Sequence, residues 1–505
     1  MKHFFTTLFL FALPFHLFAQ TERVELTKEQ MYEDFDQFFS IIQDVNPHLT
    51  LRKKVTGVDI LSEISRSRQK IDTIPNTSFF IKLLVENLAL CNDMHNCFVY
   101  NKETVFSLLN DDTIKIRKLK TLMNQVDTDL KELFSGIHMP FFLDYFKGDY
   151  YNIGKVGIET NGKTDTIPQG AKIVNIEGFI VDSLLTFDFN TPFRWDNRLK
   201  KKYRKVVAGE LPLSQRDSVI IEYEINGETK KALYLNHISK WQLSNGIYFS
   251  FTRKDGYVDY FDNDRILYIR LPQMANSDYY VDQILEKGKD KKVEKVVIDI
   301  RQNGGGSDDV WRNILSAIIK DSIDMRADIG FKPTDLMFQK LEISRDSVRI
   351  KKIQALDNEE FAVVTWGKIL EPDKNSLHYD GKIYVLQDHF IFSAAGSLSN
   401  LALMSDQIVS VGETTGFLLG FGIAPIPFAL PNSYFAFQIE PVLDLSNADS
   451  LYDYYHDKVE IPVEISIEQR VKYFSNYRPD QQEGIYAKDF LYNHDPVFQK
   501  VLELK

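Results

Sequence analysis

The sequence predicts an α/β protein whose N-terminal part is helical and whose middle part is a small β-rich module. Apolar residues recur at helical spacing up to about residue 90, and short alternating runs separated by turn residues follow from about 141 to 235. From about residue 265 onward, predicted strands alternate with predicted helices. Such alternation is typical of a sheet covered by helices, in which ligands lie at the carboxyl ends of the strands.

The composition is that of an ordinary globular chain. Of its 505 residues, 44% are hydrophobic and 13% are aromatic, and the net charge is −11. Because the chain is acidic and has no long basic run, we expect no nucleic-acid partner. The two cysteines, Cys91 and Cys97, exclude a cysteine-rich zinc module, and the ten histidines are scattered, so we expect no metal and no other cofactor.

The first nineteen residues are almost entirely apolar. Lys2 precedes an apolar run over residues 4–18, and Ala19 precedes a polar, charged segment. This layout is typical of a secretory signal peptide. The alternative is a membrane anchor, but Pro14 and His16 interrupt a run that is short of the ~20 residues needed to cross a bilayer. We therefore expect a periplasmic or secreted protein without a membrane span in its mature chain.

Two amphipathic helices are predicted next. In EQMYEDFDQFFSIIQDV, one broad face carries apolar side chains: Met31, Phe35, Phe38, Phe39, Ile41 and Ile42. The second helix lies in NTSFFIKLLVENLALC. The first three residues of this segment have side chains that can cap it: Asn76, Thr77 and Ser78. The β-rich module then contains the runs YYNIGKVGI, AKIVNIEGFIV, SVIIEYEI and KKALYL, with turn signals at Asn161-Gly162 and Asn226-Gly227.

The second half of the chain supplies the strands and helices of the α/β layer. RILYIRL, KVVIDI, KIYVLQ and QIVSVGE are predicted strands, and YYVDQILEKGK, DDVWRNILSAIIK and SAAGSLSNLALM are predicted helices. The continuous apolar run of KVVIDI indicates a strand buried on both faces. The predicted organisation is a signal peptide (1–19), a helical domain (20–125), a β module (126–250), an α/β domain (251–475) and a C-terminal helical tail (476–505).

A glycine-rich loop, residues 303–307 (NGGGS), joins the strand KVVIDI to the next helix. Three successive glycines let backbone N–H groups approach a ligand closely, and the helix N-terminus that follows favours negative charge. The loop is a nucleotide phosphate cradle, an oxyanion hole or a plain tight turn. The sequence has neither GxGxxG nor GK[ST], which argues against the phosphate cradle.

Ser393 lies between the strand KIYVLQ and the helix that begins at Ala394. Its small neighbours leave a hydroxyl accessible at a helix N-terminus, which suits a nucleophile assisted by a backbone donor from the next residue. The alternative is a serine that only caps the helix. No GxSxG elbow is present, which argues against an ordinary α/β-hydrolase.

His95, in the segment CNDMHNC, is a candidate general base for a serine. Asp93 or a more distant carboxylate would orient its ring. The alternative is a histidine with a structural role. His389 is a rival base, four residues before Ser393, although it lies where a side chain can simply pack at the strand exit.

Taken together, these segments resemble the tail-specific (C-terminal processing) serine peptidases. DIRQNGGG resembles the family's Asp-Leu-Arg-x-Asn-x-Gly-Gly, FSAAG its Thr-x-Ser-Ala-Ala, VGETTGFLLG its Gly-Glu-Thr-Thr-x-Gly, and CNDMHN its Asp-Gly-His-Thr. IPQGAKIVNIEGFIV is similar to a PDZ-domain stretch, and VEIPVEI and HDPVFQKVLEL resemble the closing motif and final helix. The resemblance implies a crotonase/ClpP-like catalytic domain, a PDZ-like β module and a helical N-terminal domain.

The resemblance also implies roles for individual residues. Ser393 would be the nucleophile, and the N–H groups of Gly305 and Ala394 would form the oxyanion hole. The lysine that serves one branch of the family as base would lie within residues 416–420, which contain none. The resemblance is therefore closer to the tricorn-like branch, in which a histidine from the N-terminal region, here His95, acts as the base.

That branch also uses a carboxylate near the closing motif, for which Asp453 and Asp457 are the candidates. The implied protein is an exported serine endopeptidase that acts on peptides or unfolded proteins. The alternative is a catalytically inactive member that binds peptides or apolar ligands. In an oxidising compartment, a disulfide between Cys91 and Cys97 would hold the loop around His95, so this disulfide is a further expectation. The sequence does not indicate an oligomeric state.

Overall fold

The computed structural model describes thirteen segments of the chain: residues 23–99, 101–130, 137–154, 157–160, 163–185, 193–196, 198–211, 218–235, 256–415, 425–446, 451, 458–476 and 484–504. The predicted signal peptide and the Asn161-Gly162 turn lie outside them. Within these segments, none of the helices combines the length and the apolar character that a membrane crossing requires.

Six helices are described before the first strand: α1 (Lys28–Val45), α2 (Leu49–Thr56), α3 (Ile60–Ser67), α4 (Thr77–Ala89), α5 (Lys102–Leu108) and α6 (Thr113–Leu130). A capping box opens α1, because Thr27 accepts from the N–H of Gln30 while the Gln30 side chain accepts from the N–H of Thr27. The predicted apolar face is confirmed, with Phe35 and Phe38 fully buried and Phe39 partly buried. Asn76 is the residue that caps α4.

The middle of the chain forms ten strands and one short helix: β1 (Ile137–Phe146), β2 (Asp149–Asn152), β3 (Gly157–Thr160), β4 (Lys163–Thr166), β5 (Lys172–Ile176), α7 (Val181–Leu184), β6 (Arg194–Asp196), β7 (Lys201–Tyr203), β8 (Val206–Leu211), β9 (Ser218–Ile225) and β10 (Glu228–Leu235). Six of them pair antiparallel in the order β10-β9-β5-β2-β1-β8. At the predicted turn between β9 and β10, Asn226 and Gly227 both have positive φ, as a type I′ hairpin requires. The sheet has its own apolar core.

The remaining elements are fourteen strands and seven helices: β11 (Tyr257–Phe261), β12 (Ile266–Arg270), α8 (Ser277–Gly288), β13 (Lys295–Asp299), α9 (Asp308–Ile318), β14 (Ile323–Asp324), β15 (Ala327–Phe331), α10 (Asp335–Leu341), β16 (Arg349–Ile353), β17 (Glu359–Trp366), β18 (Ile369–Leu370), β19 (Ile383–Gln387), α11 (Ala394–Asn400), β20 (Ile408–Gly412), β21 (Ile426–Ala429), β22 (Ala436–Ile439), β23 (Leu443–Asp444), β24 (Ile461–Pro462), α12 (Ile467–Asn476), α13 (Lys488–His494) and α14 (Pro496–Glu503). Every strand and helix predicted from residue 265 to residue 413 is present.

The central sheet has the order β11-β12-β13-β19-β20-β24. β11 is an antiparallel edge strand, and the other five strands are parallel. Helices α8, α9 and α11 cover one face, and α13 and α14 cover the other. The predicted α/β class is therefore confirmed. Because β13 and β19 are parallel neighbours, the glycine-rich loop and the segment that leads to Ser393 leave the sheet at the same edge.

Alternate residues of the central strands face opposite helix layers. In β12, Leu267 and Ile269 pack against α8 and α9, whereas Ile266 and Tyr268 pack against α14. Since both faces are covered, apolar residues follow one another without interruption, which accounts for the continuous run in KVVIDI.

The N-terminal helices share their core with the second half of the chain. A second sheet, β16-β17-β15-β23, and the hairpin β21-β22 contribute to the same apolar cluster as α1 and α4. The ring centroids of Phe38 and Phe437 are 5.1 Å apart. The fully buried carboxylate of Asp34 accepts from the N–H groups of Asn432 and Ser433 at 2.9 and 2.8 Å. This shared core brings the loop after α4 to the half of the fold that contains Ser393.

Candidate active site

Ser393 occupies the N-cap position of α11 in a strained backbone conformation. Its φ of 55° and ψ of −127° are uncommon for a residue with a Cβ and cost about 1–3 kcal/mol. The side chain makes no capping hydrogen bond, and the residue is partly exposed. The hydroxyl therefore does not cap the helix. This excludes the alternative, left open by the sequence, that Ser393 serves only as a helix cap.

The segment before Ser393 is held against the glycine-rich loop by backbone contacts. The N–H of Phe392 donates to the carbonyl of Asn303 at 3.1 Å. The Asp388 carboxylate accepts from the N–H groups of Gln302 and Phe390 at 3.0 and 2.9 Å. Burial raises the pKa of Asp388 to about 6, although these two hydrogen bonds act in the opposite direction. The two loops thus form one unit.

The glycine-rich loop lies directly against Ser393. A Cβ added to Gly305 would lie 2.7 Å from the Cβ of Ser393 and 3.2 Å from the backbone nitrogen of Ala394. Gly305 and Gly306 have φ values of 99° and 139°, which residues with a side chain rarely adopt. The loop therefore needs glycine here for two reasons, the close approach and the backbone conformation.

The N–H of Gly305, one of the two predicted oxyanion donors, is engaged in this structure. It donates to Oδ1 of Asn303 at 2.8 Å, and the Nδ2 group of the same fully buried side chain donates to the carbonyl of Leu271 at 2.8 Å. Asn303 thus sets the position of the loop. The other predicted donor, the N–H of Ala394, is in the first turn of α11, where the backbone N–H groups have no partner within the helix.

His95 lies in the loop after α4, beside the residue that precedes Ser393. The centroids of the His95 and Phe392 rings are 4.6 Å apart. The loop is fixed by Asp93, whose Oδ1 accepts from the N–H of His95 at 2.8 Å and whose carboxylate lies 3.7 Å from the guanidinium of Arg52. Its position against the catalytic half is fixed by Asn96, whose Oδ1 accepts from the N–H of Glu440 at 2.7 Å.

Glu440 is the carboxylate that contacts the His95 ring. Nδ1 of His95 donates to Oε2 of Glu440 across 2.7 Å, whereas Oδ1 of Asp93 is 4.0 Å from the same nitrogen. This hydrogen bond places the proton on Nδ1 and leaves Nε2 as the acceptor. Glu440 is 1% exposed, and its other oxygen has no hydrogen-bond partner among the described residues.

Burial and pairing act in opposite directions on this histidine and carboxylate. Burial is the largest effect on His95 and lowers its pKa, but the hydrogen bond and the charge of Glu440 outweigh it, so the pKa is raised from the ordinary value. For Glu440, burial raises the pKa to about 7 against the opposing effect of His95. Both pKa values are therefore raised from their ordinary values, that of His95 by pairing and that of Glu440 by burial.

A second buried histidine–glutamate pair lies on the other side of the segment that leads to Ser393. Nδ1 of His389 is 3.1 Å from Oε2 of Glu413, which is also paired with Arg470. Burial lowers the pKa of His389 well below its ordinary value. Its Nε2 is buried, and the small cavity that His389 lines, about 60 Å³, is not lined by Ser393. Of the two histidines, His95 is the one whose ring lies against Phe392, the residue before Ser393, and whose pKa is raised.

The comparisons with known proteins concern the family and the fold. Residues 265–450 match the model of a family described as peptidase family S41. Over these residues the chain is similar to peptidase family S41. Among solved structures, mature CPAF superposes with a TM-score of 0.54 at 13% identity, covering 89% of this chain and 95% of that chain. A CPAF mutant gives a TM-score of 0.57 at 12% identity, covering 95% and 98%. At these identities the two structures support the fold alone.

A further CPAF structure, of the mature protein complexed with lactacystin, has a TM-score of 0.52 at 12% identity and covers 89% of this chain and 97% of that chain. A search of the curated proteins finds no significant match. The matched family is one of peptidases, a class of enzyme whose substrates are peptides or proteins.

Glu440 was not among the carboxylates that the sequence predicted to contact His95. The predicted orienting carboxylates, Asp453 and Asp457, lie outside the described residues. Glu440 is 345 residues from His95 in sequence, so no local pattern joins them. The signal that was present is an acidic residue at the end of the apolar strand β22, directly before Pro441.

The expected disulfide is not formed in this structure, where Cys91 and Cys97 are both free. The two thiols have different partners, since Cys91 contacts the side chain of Asn46 and Cys97 that of Gln438. Burial raises the pKa of Cys91 to about 12 and that of Cys97 to about 11. The loop around His95 is held instead by Asp93 and Asn96. Among the described residues, no group of histidine, cysteine and carboxylate side chains is arranged to hold a metal ion.

Proposed function

We propose that this chain is a serine peptidase of family S41 in which Ser393 is the nucleophile, His95 the general base and Glu440 the orienting carboxylate. The observation that carries the proposal is the His95–Glu440 hydrogen bond of 2.7 Å beside Phe392, the residue that precedes the strained Ser393. A backbone outlier at the start of a helix, next to a histidine–carboxylate pair, is the pattern expected of an activated nucleophile.

In the proposed reaction, Nε2 of His95 accepts the proton of the Ser393 hydroxyl as its oxygen attacks the carbonyl carbon of the scissile peptide bond. The buried Glu440 carboxylate stabilises the imidazolium that forms. His95 then gives the proton to the leaving amine, which leaves an acyl-enzyme on Ser393. Water, deprotonated by His95, hydrolyses this ester and restores the hydroxyl.

The oxyanion is proposed to be bound by the N–H groups of Ala394 and Gly305. Ala394 supports this role because it follows Ser393 at the start of α11. For Gly305, the N–H that donates to Asn303 at rest would turn to, or be shared with, the developing oxyanion. The loss of one such donor typically lowers kcat by about 10²–10³-fold.

The branch of the family is part of the same proposal. A histidine from the N-terminal helices paired with a glutamate favours the tricorn-like branch over the serine–lysine branch. With Glu440 in this position, neither Asp453 nor Asp457 is required to orient His95. Residues 126–250 are proposed as a PDZ-like module and the central sheet with its helices as a crotonase/ClpP-like catalytic domain.

Export is also proposed, on the basis of the apolar segment at residues 1–19. Intact-mass measurement of the protein recovered from the periplasm or medium of an expressing bacterium tests it. A mature chain that begins near Gln20 is expected, and a full-length chain retained in the cytoplasm would contradict export.

The test of catalysis is labelling by a serine-directed fluorophosphonate, with the adduct located by peptide mass spectrometry. We expect one adduct on Ser393, abolished in Ser393→Ala and strongly slowed in His95→Ala. Ser344→Ala, which changes an exposed serine far along the chain, is the control and keeps the adduct. Digestion of a peptide library then separates a peptidase from an esterase. Absence of a Ser393 adduct in the folded wild-type protein would refute the mechanism and favour an inactive, ligand-binding member.

A further inference from the structure

An open pocket of about 420 Å³ lies between helices α9 and α11 and the second sheet. Its walls include Trp311 and Arg312 of α9, Ser397 and Asn400 of α11, and Trp366 at the end of β17. This volume is in the range of pockets that bind small molecules or single large side chains.

Both helices that form the pocket begin at the candidate active site. α11 starts directly after Ser393, and Ser397 is four residues further along the same face, its N–H donating to the Ser393 carbonyl at 3.0 Å. α9 starts directly after the glycine-rich loop. Four residues of helix advance about 6 Å, and an extended peptide advances about 3.3 Å per residue. The pocket is therefore within about two residues of the scissile bond of an extended peptide.

The buried walls of the pocket are apolar and polarisable. Trp311, Met325 and Leu401 are 4%, 8% and 2% exposed, and all three line the pocket. Tryptophan rings and methionine sulfur pack favourably against an aromatic ring. At the rim, Trp366 is 54% exposed, so its ring is available to cover an inserted side chain.

The polar groups of the pocket are mostly paired with one another. Arg312 is paired with Asp308 and Asp309 at 3.3 and 3.2 Å, and the indole N–H of Trp311 donates to Asp308 at 2.8 Å. Two buried polar atoms of the lining have no hydrogen-bond partner among the described residues, Nε of Arg312 and Oδ1 of Asn400. Asn400 is 8% exposed and, unlike Arg312, forms no ion pair. A rotation of 180° about the last side-chain bond of an asparagine exchanges its acceptor oxygen for its donor NH₂ group. A phenolic hydroxyl can pair with either group, because it both donates and accepts hydrogen bonds.

We propose that this pocket binds the side chain of a tyrosine in the substrate, within two residues of the scissile bond, with the hydroxyl on Asn400 and the ring between the tryptophans. The proposal names a substrate preference and so rests on the proposed peptidase function. Because a buried polar group that a ligand leaves unpaired penalises binding, phenylalanine should be a poorer occupant than tyrosine.

The first experiment measures binding rather than cleavage, so that it does not depend on catalysis. Ser393→Ala is titrated calorimetrically with alanine-based peptides that contain one tyrosine, one phenylalanine or neither. We expect the tyrosine peptide to bind about tenfold more tightly than the phenylalanine peptide and both to exceed the alanine peptide. Asn400→Leu in the same background should remove the difference between tyrosine and phenylalanine.

A second variant keeps the test valid if Asn400→Leu fails to fold. Trp366→Ala removes an exposed rim ring and should weaken both aromatic peptides. Ile350→Ala, equally exposed at 54% and on the neighbouring strand β16, is the matched control and should change neither. With wild-type protein, cleavage sites mapped by mass spectrometry should lie at a fixed distance, at most two bonds, from the tyrosine.

Equal affinity for the three peptides, or an aromatic preference that survives both Asn400→Leu and Trp366→Ala, would overturn the pocket assignment even if Ser393 is labelled. Conversely, a tyrosine preference lost in both variants would support the pocket even if the fluorophosphonate finds no Ser393 adduct. The failure of one proposal is thus distinguishable from the failure of the other.

Discussion

Two adjacent glycines of the loop have different surroundings. Gly305 has a φ of 99° and is so close to Ser393 that an added Cβ would lie 2.7 Å from the serine Cβ, whereas a Cβ on Gly304 meets nothing within 4 Å. We expect Gly305→Ala to displace either the loop or Ser393 and to lower kcat/KM by at least about 10²-fold. Gly304→Ala, one residue away, should retain nearly full activity. Peptide hydrolysis by the two purified variants checks this, and equal losses would contradict it.

The His95–Glu440 pair makes a prediction about pH. His95 acts as a base only when neutral, so activity should fall as the pH decreases through its pKa, which Glu440 holds above the ordinary histidine value. In Glu440→Gln the charge is lost while burial remains, so the pKa of His95 falls. The acid limb of kcat/KM should then move to lower pH, while kcat falls by about 10³-fold or more.

The pH profile of kcat/KM, recorded for wild type, Glu440→Gln and Glu464→Gln, measures this shift. Glu464 is an exposed partner of Lys147, with a side chain 62% accessible, and serves as the control. An acid limb that stays in place in Glu440→Gln would show that another group controls it.

For individual residues, the sequence predicted those features that depend on adjacent residues in the chain. The positions of Ser393, Ala394 and Gly305 next to helix starts could be predicted because strand–loop–helix transitions leave a local signature of small residues before a helix. Glu440 could not, because its contact with His95 depends on the packing of α1 and α4 against the hairpin β21-β22. The same packing gives Cys91 and Cys97 separate partners, which spacing in the sequence does not reveal.

Among the elements, the C-terminal helix α14 is linked to the strand that carries the glycine-rich loop. Asp495 is fully buried, caps α14 through the N–H groups of Val497 and Phe498, and pairs with Arg301 at 2.5 Å. Arg301 is also paired with Asp299, at the end of β13. The loop thus leaves the sheet from a position fixed by a buried ionic network.

Asp495→Ala should therefore destabilise the protein by about 3–5 kcal/mol, because it removes a helix cap and leaves Arg301 with one carboxylate fewer. Asp489→Asn, an exposed change in the first turn of α13, is the matched control and should be nearly neutral. The urea midpoint followed by circular dichroism measures both. A midpoint for Asp495→Ala equal to that of the control would contradict this account.

The strands of the central sheet were predictable because burial on both faces leaves a continuous apolar run. The second sheet was not predicted from the sequence. In β16, RIKKI, four of five residues are exposed. Its charged side chains therefore interrupt the alternation of apolar and polar residues that predicts a strand. The sequence of the hairpin β21-β22 likewise contained no pattern that distinguished it from a loop.

Over the whole molecule, a buried ionic cluster joins the β module to the catalytic half. Asp144 of β1 lies 2.8 Å from the ammonium of Lys205 and 3.4 Å from the guanidinium of Arg470 on α12, which in turn pairs with Glu413. Burial is the largest effect on Lys205 and lowers its pKa, and Asp144 counteracts it. Both cations therefore depend on this carboxylate.

Asp144→Asn should weaken the attachment of the module, since it removes the carboxylate paired with Lys205 and leaves Arg470 with Glu413 alone. We expect a lower thermal midpoint and a separation of the unfolding of residues 137–235 from that of the catalytic half, visible as an added calorimetric transition. Asp149→Asn, on an exposed pair with Lys172, is the control. Hydrogen exchange assigns the early transition, and a single unchanged transition would contradict the prediction.

The proposed base and its carboxylate are 345 residues apart in sequence. A ribosome that adds 5–20 residues per second needs roughly 20–90 s to reach residue 440. Until then the emerging polypeptide contains His95 without its partner, and Ser393 is itself made late. The order of translation therefore means that the proposed His95–Glu440 pair can form only when about the last eighth of the chain is being synthesised.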